Sequence, residues 1–441
     1  MTTDQHPARS GRIRVVVQLI VSEGAAVPDI FEATRALKSL GFEVDPSYGP
    51  IPIRSPRQDP KRPMKAAARA VVVRGWIQPD RMAGLAQHPD VRRVSEDARL
   101  EPFAAGRSIP VDCTTRGDAS GDVKRLARKL GVDRIWRAGY DGRGVVVGVV
   151  DAGITAFGRP VDPMEEPAIP QRPATGRVVG GWPDDWGTTA VGWGQHGNMM
   201  AFDIQAVAPG ASLWDIRIWQ AGDEFGAYVS NAISGYREAI DHHALHGEPH
   251  ILSNSWGLYK HAVDPAYASD PDSEFAVIVE EALDAGILVL FAAGNCGASC
   301  PYSLCGPGDT GSGKSILGPN GHPRVMTVGA ADLDDDWCGY SSQGPAVLPP
   351  NAPKPDFCGY SRFEGFFPDA DPALRDFDGG TSAATAVAAG VVALLKQKHP
   401  DLTQEEAMAI LCETAEDIWS PGFDLNSGAG IIRAKAAFDA I

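Results

Sequence analysis

The sequence predicts an α/β protein with a doubly wound, mostly parallel sheet, preceded by a small α+β domain. Two observations carry this prediction. Beyond about residue 121, short apolar runs alternate with helical patterns, and such continuous runs are typical of parallel strands buried on both faces. The N-terminal part instead follows the order βαββαβ. With 441 residues, the chain is long enough to bury more than one core.

The first hundred residues are interpreted as a ferredoxin-like domain. Strand patterns lie at residues 12–20, 42–53, 68–77 and 91–94, and helical spacing lies at residues 29–40 and 79–87. This order is the βαββαβ arrangement of that fold. Residues 101–121 lose periodicity and gain Gly, Ser, Thr and Asp, which is typical of a linker. We therefore expect domains at residues 1–100 and 122–441.

The larger domain shows five candidate strands and four candidate helices. The strands are expected at residues 145–150, 213–219, 251–254, 287–293 and 325–328, and the helices at 228–245, 273–285, 382–396 and 405–414. Residues 403–406 have the pattern of a capping box before the last helix. In a sheet of this class, the functional site lies at the carboxyl ends of the strands.

Charge and hydropathy limit the possible partners. The net charge of −16 disfavours nucleic acid and anionic membranes, and no apolar stretch approaches the roughly 20 residues that span a bilayer. Residues 1–22 place basic residues before a short apolar run without a convincing cleavage site, so we expect a cytoplasmic protein. Residues 1–107 hold 17 basic and 12 acidic residues, whereas the remainder holds 23 and 44. These opposite charges favour docking of the two parts.

One motif imitates a nucleotide-binding site. Residues 308–315, GDTGSGKS, match the phosphate-binding P-loop pattern letter for letter. A P-loop lies between a buried strand and a helix whose first amides hold the phosphates. The flanking residues show no strand pattern, and Pro319, Gly321 and Pro323 prevent the helix. We therefore expect a loop and no bound nucleotide.

Four polar residues at the ends of predicted elements form a candidate catalytic site. Asp151 directly follows a strand, His196 opens a possible helix, and Ser382 heads a buried, Ala-rich helix after a Gly-Gly pair. Asn295 follows another buried strand. Each residue alone has an ordinary interpretation as a turn residue or a helix cap. Asp, His and Ser in this chain order, however, have the arrangement of a nucleophilic triad.

At these residues the sequence resembles the subtilisin-like serine proteases, over roughly residues 120–441. The segments that match, in the family's order, are GRGVVVGVVDAGI, HGNMMA, AVAPGASLWDIRIW, NSWG, AAGN, HPRVMTVGA, YSSQGP, KPD and GTSAAT. The resemblance implies a serine endopeptidase that acts on proteins or peptides through an acyl-enzyme. Ser382 would be the nucleophile, His196 the general base and Asp151 the group that orients the imidazole, with Asn295 and the Ser382 amide as the oxyanion hole. We expect no cofactor.

Two positions depart from the family's pattern. Asn198 stands where Thr is usual after His-Gly, and Ala386 stands where Pro is usual four residues after the serine. Neither position belongs to the proton relay. The short segment between residues 196 and 207 also lacks the insertion that builds the strong calcium site of many relatives, so calcium dependence stays open.

The resemblance also implies a substrate cleft and a self-inhibited zymogen. The cleft walls would be two extended segments, Ser255-Trp256-Gly257 and Ala292-Ala293-Gly294, with which a peptide pairs as an added strand. Residues 71–103 are similar to the end of the family's inhibitory propeptides. We therefore expect residues 1–100 to act as intramolecular chaperone and inhibitor, with the tail 99–107 in the cleft. The alternative is a catalytically silent protein that binds peptides, which would have no need of Asp151.

Three of the seven cysteines crowd the loop after Asn295. We expect Cys296, Cys300 and Cys305 to be free thiols, and a disulfide or a metal site such as zinc are the alternatives. An odd number of cysteines agrees with a reducing compartment.

Overall fold

The computed structural model describes residues 11–22, 26–54, 68–103, 119–160, 177–220, 226–366 and 377–441. The N-terminal part is an antiparallel sheet with two helices. Its strands are β1 (Ile13–Ser22), β2 (Glu43–Val44), β3 (Ile51–Ile53), β4 (Ala68–Ile77) and β5 (Val91–Glu96), and its helices are α1 (Val27–Leu37) and α2 (Met82–Leu85). The strand order is β2-β4-β1-β5, with β3 also beside β4. This is the ferredoxin-like arrangement predicted from the sequence.

Alternate residues of β1 face two different cores. Val15, Val17 and Leu19 pack with the domain's own helices, whereas Val16 and Ile20 pack with residues of the larger domain. Because successive side chains of a strand point to opposite faces, one face of this sheet contacts the domain's own helices and the other face contacts the larger domain. The N-terminal domain is therefore packed against the rest of the chain rather than exposed on that face.

The remaining described residues form a larger α/β domain, which we call the body, and one strand that leads into it. The strands are β6 (Arg99–Pro102), β7 (Val146–Asp151), β8 (Val178–Trp182), β9 (Ser212–Arg217), β10 (Trp219–Gln220), β11 (Gly226–Tyr228), β12 (Ile251–Asn254), β13 (Trp256–Gly257), β14 (Leu288–Ala292), β15 (Met326–Ala331) and β16 (Phe357–Tyr360). The helices are α3 (Val123–Leu130), α4 (Val132–Arg137), α5 (His196–Val207), α6 (Val229–His246), α7 (Pro265–Ser269), α8 (Glu274–Asp284), α9 (Gly380–Lys398), α10 (Gln404–Glu413) and α11 (Ala434–Ala440).

The centre of the body is a parallel seven-stranded sheet with the order β16-β15-β14-β12-β7-β9-β8. Val147 and Val149 of β7 face the layer that contains α5 and α9, and Val146 and Val150 face the layer that contains α6 and α8. The sheet is therefore covered on both sides, as the continuous apolar runs predicted. Strands β8 and β16 were not predicted, because they are short and contain glycine.

Two local predictions are confirmed. Thr403 forms the capping box of α10, in which its hydroxyl accepts from the Glu406 amide and the Glu406 side chain accepts from the Thr403 amide. The P-loop-like stretch 308–315 is a loop of turns without a directly preceding strand, and only a short 3-10 helix, Gly318–Gly321, follows it. Within the described residues, none of the helices combines the length and apolar character needed to cross a bilayer.

Strand β6 is the connection between the two domains and lies inside a second, smaller sheet. Its order is β10-β11-β6-β13, and β6 is antiparallel to both neighbours. The strand ends at Pro102, so it extends into the predicted linker 101–121. Residues 104–118 of that linker lie outside the described residues.

Candidate active site

The carboxyl end of β7 and the start of α5 bring Asp151 and His196 together. Nδ1 of His196 is 2.9 Å from each carboxylate oxygen of Asp151, and one of these oxygens also accepts from the Ala152 amide at 2.7 Å. Both side chains are buried. The contact fixes the imidazole ring with Nε2 directed away from the carboxylate, which is the orientation that a general base needs.

A glycine allows α5 to begin this close to β7. A Cβ at position 197 would collide with the carbonyl oxygen of Gly153, so only Gly197 permits the approach. Asn198 adds a second tie, because its Oδ1 accepts from the Thr155 amide at 2.9 Å and its Nδ2 donates to Thr155 Oγ1 at 3.1 Å. The departure from the family's usual Thr therefore leaves α5 anchored to the loop after β7.

Ser382 lies in the first turn of α9 and is fully buried. Its Oγ donates to the Ser255 carbonyl at 2.9 Å, and Ser255 Oγ donates to the Ser382 carbonyl at 3.2 Å. Within the described part of the chain, His196 Nε2 has no hydrogen-bond partner. The hydroxyl and the imidazole are thus not bonded to each other here. Such bonds often form only when substrate is bound.

The side chain of Asn295 is held in a defined orientation directly after β14. Its Oδ1 accepts from both the amide and the hydroxyl of Thr381, each at 3.0 Å. Its Nδ2 consequently points the other way and donates to the carbonyl of Phe103. A peptide carbonyl therefore already lies against the amide group that the family resemblance assigns to the oxyanion hole.

The first predicted cleft wall pairs with β6. Trp256 lies opposite Pro102 in the antiparallel register, and the Phe103 amide donates to the Ser255 carbonyl at 3.0 Å. The contribution of Trp256 comes from its backbone, since its indole is buried and donates to the Val150 carbonyl at 2.7 Å. On its other edge, β6 pairs with β11. The segment β6 thus lies between β11 and the first predicted wall as an added strand.

The second predicted wall has a different role at each residue. Ala292 packs against Phe103 in a small apolar cluster. Ala293 belongs to a separate cluster with Ile316 and Ala346. The Gly294 amide donates to Thr381 Oγ1 at 3.1 Å and so supports the residue that orients Asn295.

The cysteine loop differs from the expectation. Cys296 and Cys305 form a disulfide, and Cys300 is also disulfide-bonded, so the prediction of free thiols was wrong. Spacing alone does not reveal pairing, which depends on how the loop folds back. Disulfides persist in oxidising compartments, which counts against the expected cytoplasmic location. In the ranges that the structure describes, there is no cluster of three or more His, Cys, Asp or Glu side chains suited to a metal ion.

Sequence reasoning missed a buried pair of carboxyl groups beneath the site. Asp203 lies on the same helix as His196, and Asp378 precedes Ser382 by four residues. Burial, together with the charge of Asp378, raises the pKa of Asp203 well above its ordinary value. The protonated, neutral form of Asp203 is therefore favoured. The available signal was an Asp within the apolar run MMAFDIQAV.

Comparison with known proteins shows the family of the chain. Residues 142–430 match the model of the subtilase family. The chain belongs to the subtilase family. This subtilase is 29% identical over 319 residues to subtilisin DY of Bacillus licheniformis, and the alignment covers 69% of this chain and 94% of that relative. It is 25% identical over 388 residues to bacillopeptidase F of Bacillus subtilis, covering 82% of this chain but 25% of the relative.

A solved structure extends the likeness to the whole fold. The crystal structure of fervidolysin from Fervidobacterium pennivorans, described as a keratinolytic enzyme related to subtilisin, matches with a TM-score of 0.57 at 18% identity. The match covers 98% of this chain and 62% of fervidolysin, so this chain spans less than two thirds of that protein. The family and its relatives establish a serine-type endopeptidase, whose substrates are proteins or peptides.

Proposed function

We propose that this endopeptidase cuts peptide bonds through Asp151, His196 and Ser382, and that it is made as a zymogen inhibited by its own N-terminal domain. The observation that carries both parts is the position of Phe103, whose carbonyl accepts from Asn295. A bound peptide carbonyl at that place marks where a scissile bond would lie.

In the proposed reaction, Ser382 Oγ turns from the Ser255 carbonyl toward His196 and attacks the carbonyl carbon. His196 Nε2 takes the hydroxyl proton, and the carbonyl oxygen becomes an oxyanion held by Asn295 Nδ2 and the Ser382 amide. When the C–N bond breaks, His196 gives the proton to the leaving amine. Water then hydrolyses the acyl-enzyme by the same route in reverse, while Asp151 stabilises the imidazolium.

Within the zymogen, the bond between Phe103 and Ala104 is the one offered to Ser382. The Phe103 amide is bonded to Ser255 and its carbonyl to Asn295, so residue 103 supplies the acyl side of the bond. We expect the first cut to fall there and to separate residues 1–103 from the body.

The docking contacts support the inhibitory role. Asp97, just before β6, accepts from the Ser230 amide at 2.9 Å and the Ser230 hydroxyl at 2.7 Å. It thereby caps the first turn of α6, where a negative charge is favourable. Arg14 pairs with the same carboxylate at 2.5 Å, and the Tyr48 hydroxyl donates to the Ser230 carbonyl at 3.2 Å. These contacts fix the segment that leads into β6 against α6, which supports the proposed inhibition.

The test compares the unmodified chain with the Ser382→Ala and Ser212→Ala variants. After incubation, we expect a new N-terminus beginning AAGRSIP in the unmodified chain and in Ser212→Ala, and an intact chain in Ser382→Ala. A fluorophosphonate should label the first two only. A cut chain in Ser382→Ala would exclude Ser382 as the nucleophile, and a different new N-terminus would exclude the Phe103–Ala104 bond. An unmodified chain that is neither cut nor labelled would favour the silent peptide binder.

A further inference from the structure

We propose that the loop closed by the Cys296–Cys305 disulfide, together with Tyr259, selects an aromatic side chain immediately before the scissile bond, and that reduction of this disulfide weakens the selection. We call residues 296–305 the disulfide loop. The inference rests on the proposed catalytic function of the cleft and names the substrates that the cleft prefers.

The ring of Phe103 is enclosed by the disulfide loop and its neighbours. Only 3% of Phe103 is exposed, and it forms one apolar cluster with Tyr259, Ala292 and Cys296. The partly buried residues that pack against this cluster are Tyr302 and Cys305. The Phe103 and Tyr259 rings meet edge to face with centroids 5.1 Å apart, an arrangement that favours an aromatic guest over an aliphatic one of equal area.

Two glycines set the depth of this pocket. A Cβ at Gly257 would lie 2.8 Å from Cζ of Phe103, and a Cβ at Gly294 would lie 3.5 Å from the same atom. The tip of the ring thus reaches the backbone of both cleft walls. An alanine at position 103 would leave most of this space unfilled, whereas a phenyl ring fills it.

The disulfide loop also connects the pocket to the oxyanion hole. The Tyr302 amide donates to the Asn295 carbonyl at 3.0 Å, and the Gly306 amide donates to the Tyr259 carbonyl at 3.2 Å. The Tyr259 hydroxyl in turn donates to the Pro102 carbonyl at 2.9 Å. The disulfide therefore closes a short loop whose backbone contacts stabilise both Tyr259 in the pocket wall and Asn295.

Reduction removes this covalent link, and it also opens the separate disulfide that involves Cys300. Two electrons and two protons from dithiothreitol convert the disulfide into two thiols, and dithiothreitol becomes its cyclic disulfide. The loop is then held only by its hydrogen bonds. Without the covalent link, ordering the loop costs more conformational entropy. A more mobile pocket wall excludes less water from the aromatic side chain of the substrate. The preference of the pocket for aromatic over small side chains therefore falls.

The experiment uses the processed enzyme and two chromogenic peptides, Arg-Leu-Glu-Pro-Phe and Arg-Leu-Glu-Pro-Ala, each as its nitroanilide. The measured quantity is the ratio of kcat/KM for the Phe peptide to that for the Ala peptide. The enzymes are the unmodified chain, the double variant Cys296→Ala/Cys305→Ala, and the control Cys412→Ala, whose thiol is free and lies outside the cluster. Each is assayed with and without dithiothreitol.

We expect a high ratio in the unmodified enzyme and in the control, and a fall of about tenfold in the double variant, the scale on which an apolar pocket discriminates by small differences in fit. Dithiothreitol should lower the ratio of the unmodified enzyme and leave that of the double variant unchanged, which separates this disulfide from the one that involves Cys300. If the double variant does not fold, Cys300→Ala, which keeps the Cys296–Cys305 disulfide and lacks the other, should still show the fall in the ratio with dithiothreitol.

An unchanged ratio after loss of the disulfide would overturn the inference while leaving the catalytic proposal intact. A ratio near one in the unmodified enzyme would overturn it as well. If instead neither peptide is cut and no fluorophosphonate label is found on Ser382, the catalytic proposal itself fails, and the inference fails with it.

Discussion

Glu274 offers a quantitative test of how the N-terminal domain is docked. It is the first residue of α8 and lies buried at the interface, where the Ser95 hydroxyl donates to its Oε2 at 3.4 Å and Arg93 Nε lies 3.8 Å from its Oε1. Burial raises the pKa of Glu274 to about 7, and the Arg93 charge opposes this, whereas the carboxylates of Asp264 and Asp270 act with burial.

The size of the effect follows from the shift. The pKa rises from an ordinary value of 4.5 to about 7, and each unit corresponds to about 1.4 kcal/mol, so the change amounts to about 3 kcal/mol. Because the folded state binds the proton more tightly, the contribution is fully present below pH 4.5 and is lost as the pH rises to about 7. In Glu274→Gln the side chain is neutral at every pH, so the variant does not lose this contribution to stability as the pH rises.

The assay is urea unfolding of the full chain with Ser382→Ala, which prevents self-cleavage, at half-unit steps from pH 4.5 to pH 8. We expect the free energy of unfolding of the Gln variant, relative to its parent, to increase by about 3 kcal/mol across this range. Glu413→Gln, at an exposed position of α10, serves as control and should show no such trend. A difference between Glu274→Gln and its parent that stays constant with pH would refute the reasoning.

Three further substitutions test the site. Asn295→Ala should lower kcat by about 10² to 10³ with little change in KM in steady-state peptide assays, because the oxyanion loses one donor; a kcat within twofold of normal would contradict this. Gly197→Ala should prevent self-cleavage on gels, because its Cβ meets the Gly153 carbonyl, whereas Gly84→Ala, which has open space around it, should be cut normally. Asp203→Asn should raise the thermal midpoint more at pH 9 than at pH 5, since the stability tied to the raised pKa is fully present only below about pH 3.8 and is lost as the pH rises; a midpoint at pH 9 equal to that of the parent would argue against the raised pKa.

Much of the fold and the positions of the candidate site residues were predictable, because they depend on local pattern. Asp151 and Asn295 each follow an apolar run, and such runs identify the parallel strands whose carboxyl ends meet at one edge. His196 and Ser382 open helices that are recognisable by composition. The ferredoxin-like order was predictable for the same reason, since its long strands and helices carry strong periodicity.

Features that depend on contacts between distant residues were not predictable. Phe103 and Asn295 are 192 positions apart, and nothing near Phe103 in the sequence indicates the amide that its carbonyl meets. The pairing of Cys296 with Cys305 depends on how a turn-rich loop returns, and four of the seven cysteines lie elsewhere in the chain. The carboxyl pair of Asp203 and Asp378 likewise requires two elements to pack together.

The cap that Asp97 provides for α6 has a consequence for the lifetime of the mature enzyme. Asp97 precedes the proposed cut, so the cut and release of residues 1–103 would leave the first turn of α6 without the carboxylate that completes it. A mature molecule that unfolded would then lack the N-terminal segment that it needs to refold. Its persistence would depend on a high barrier to unfolding rather than on equilibrium, and each copy would fold only once.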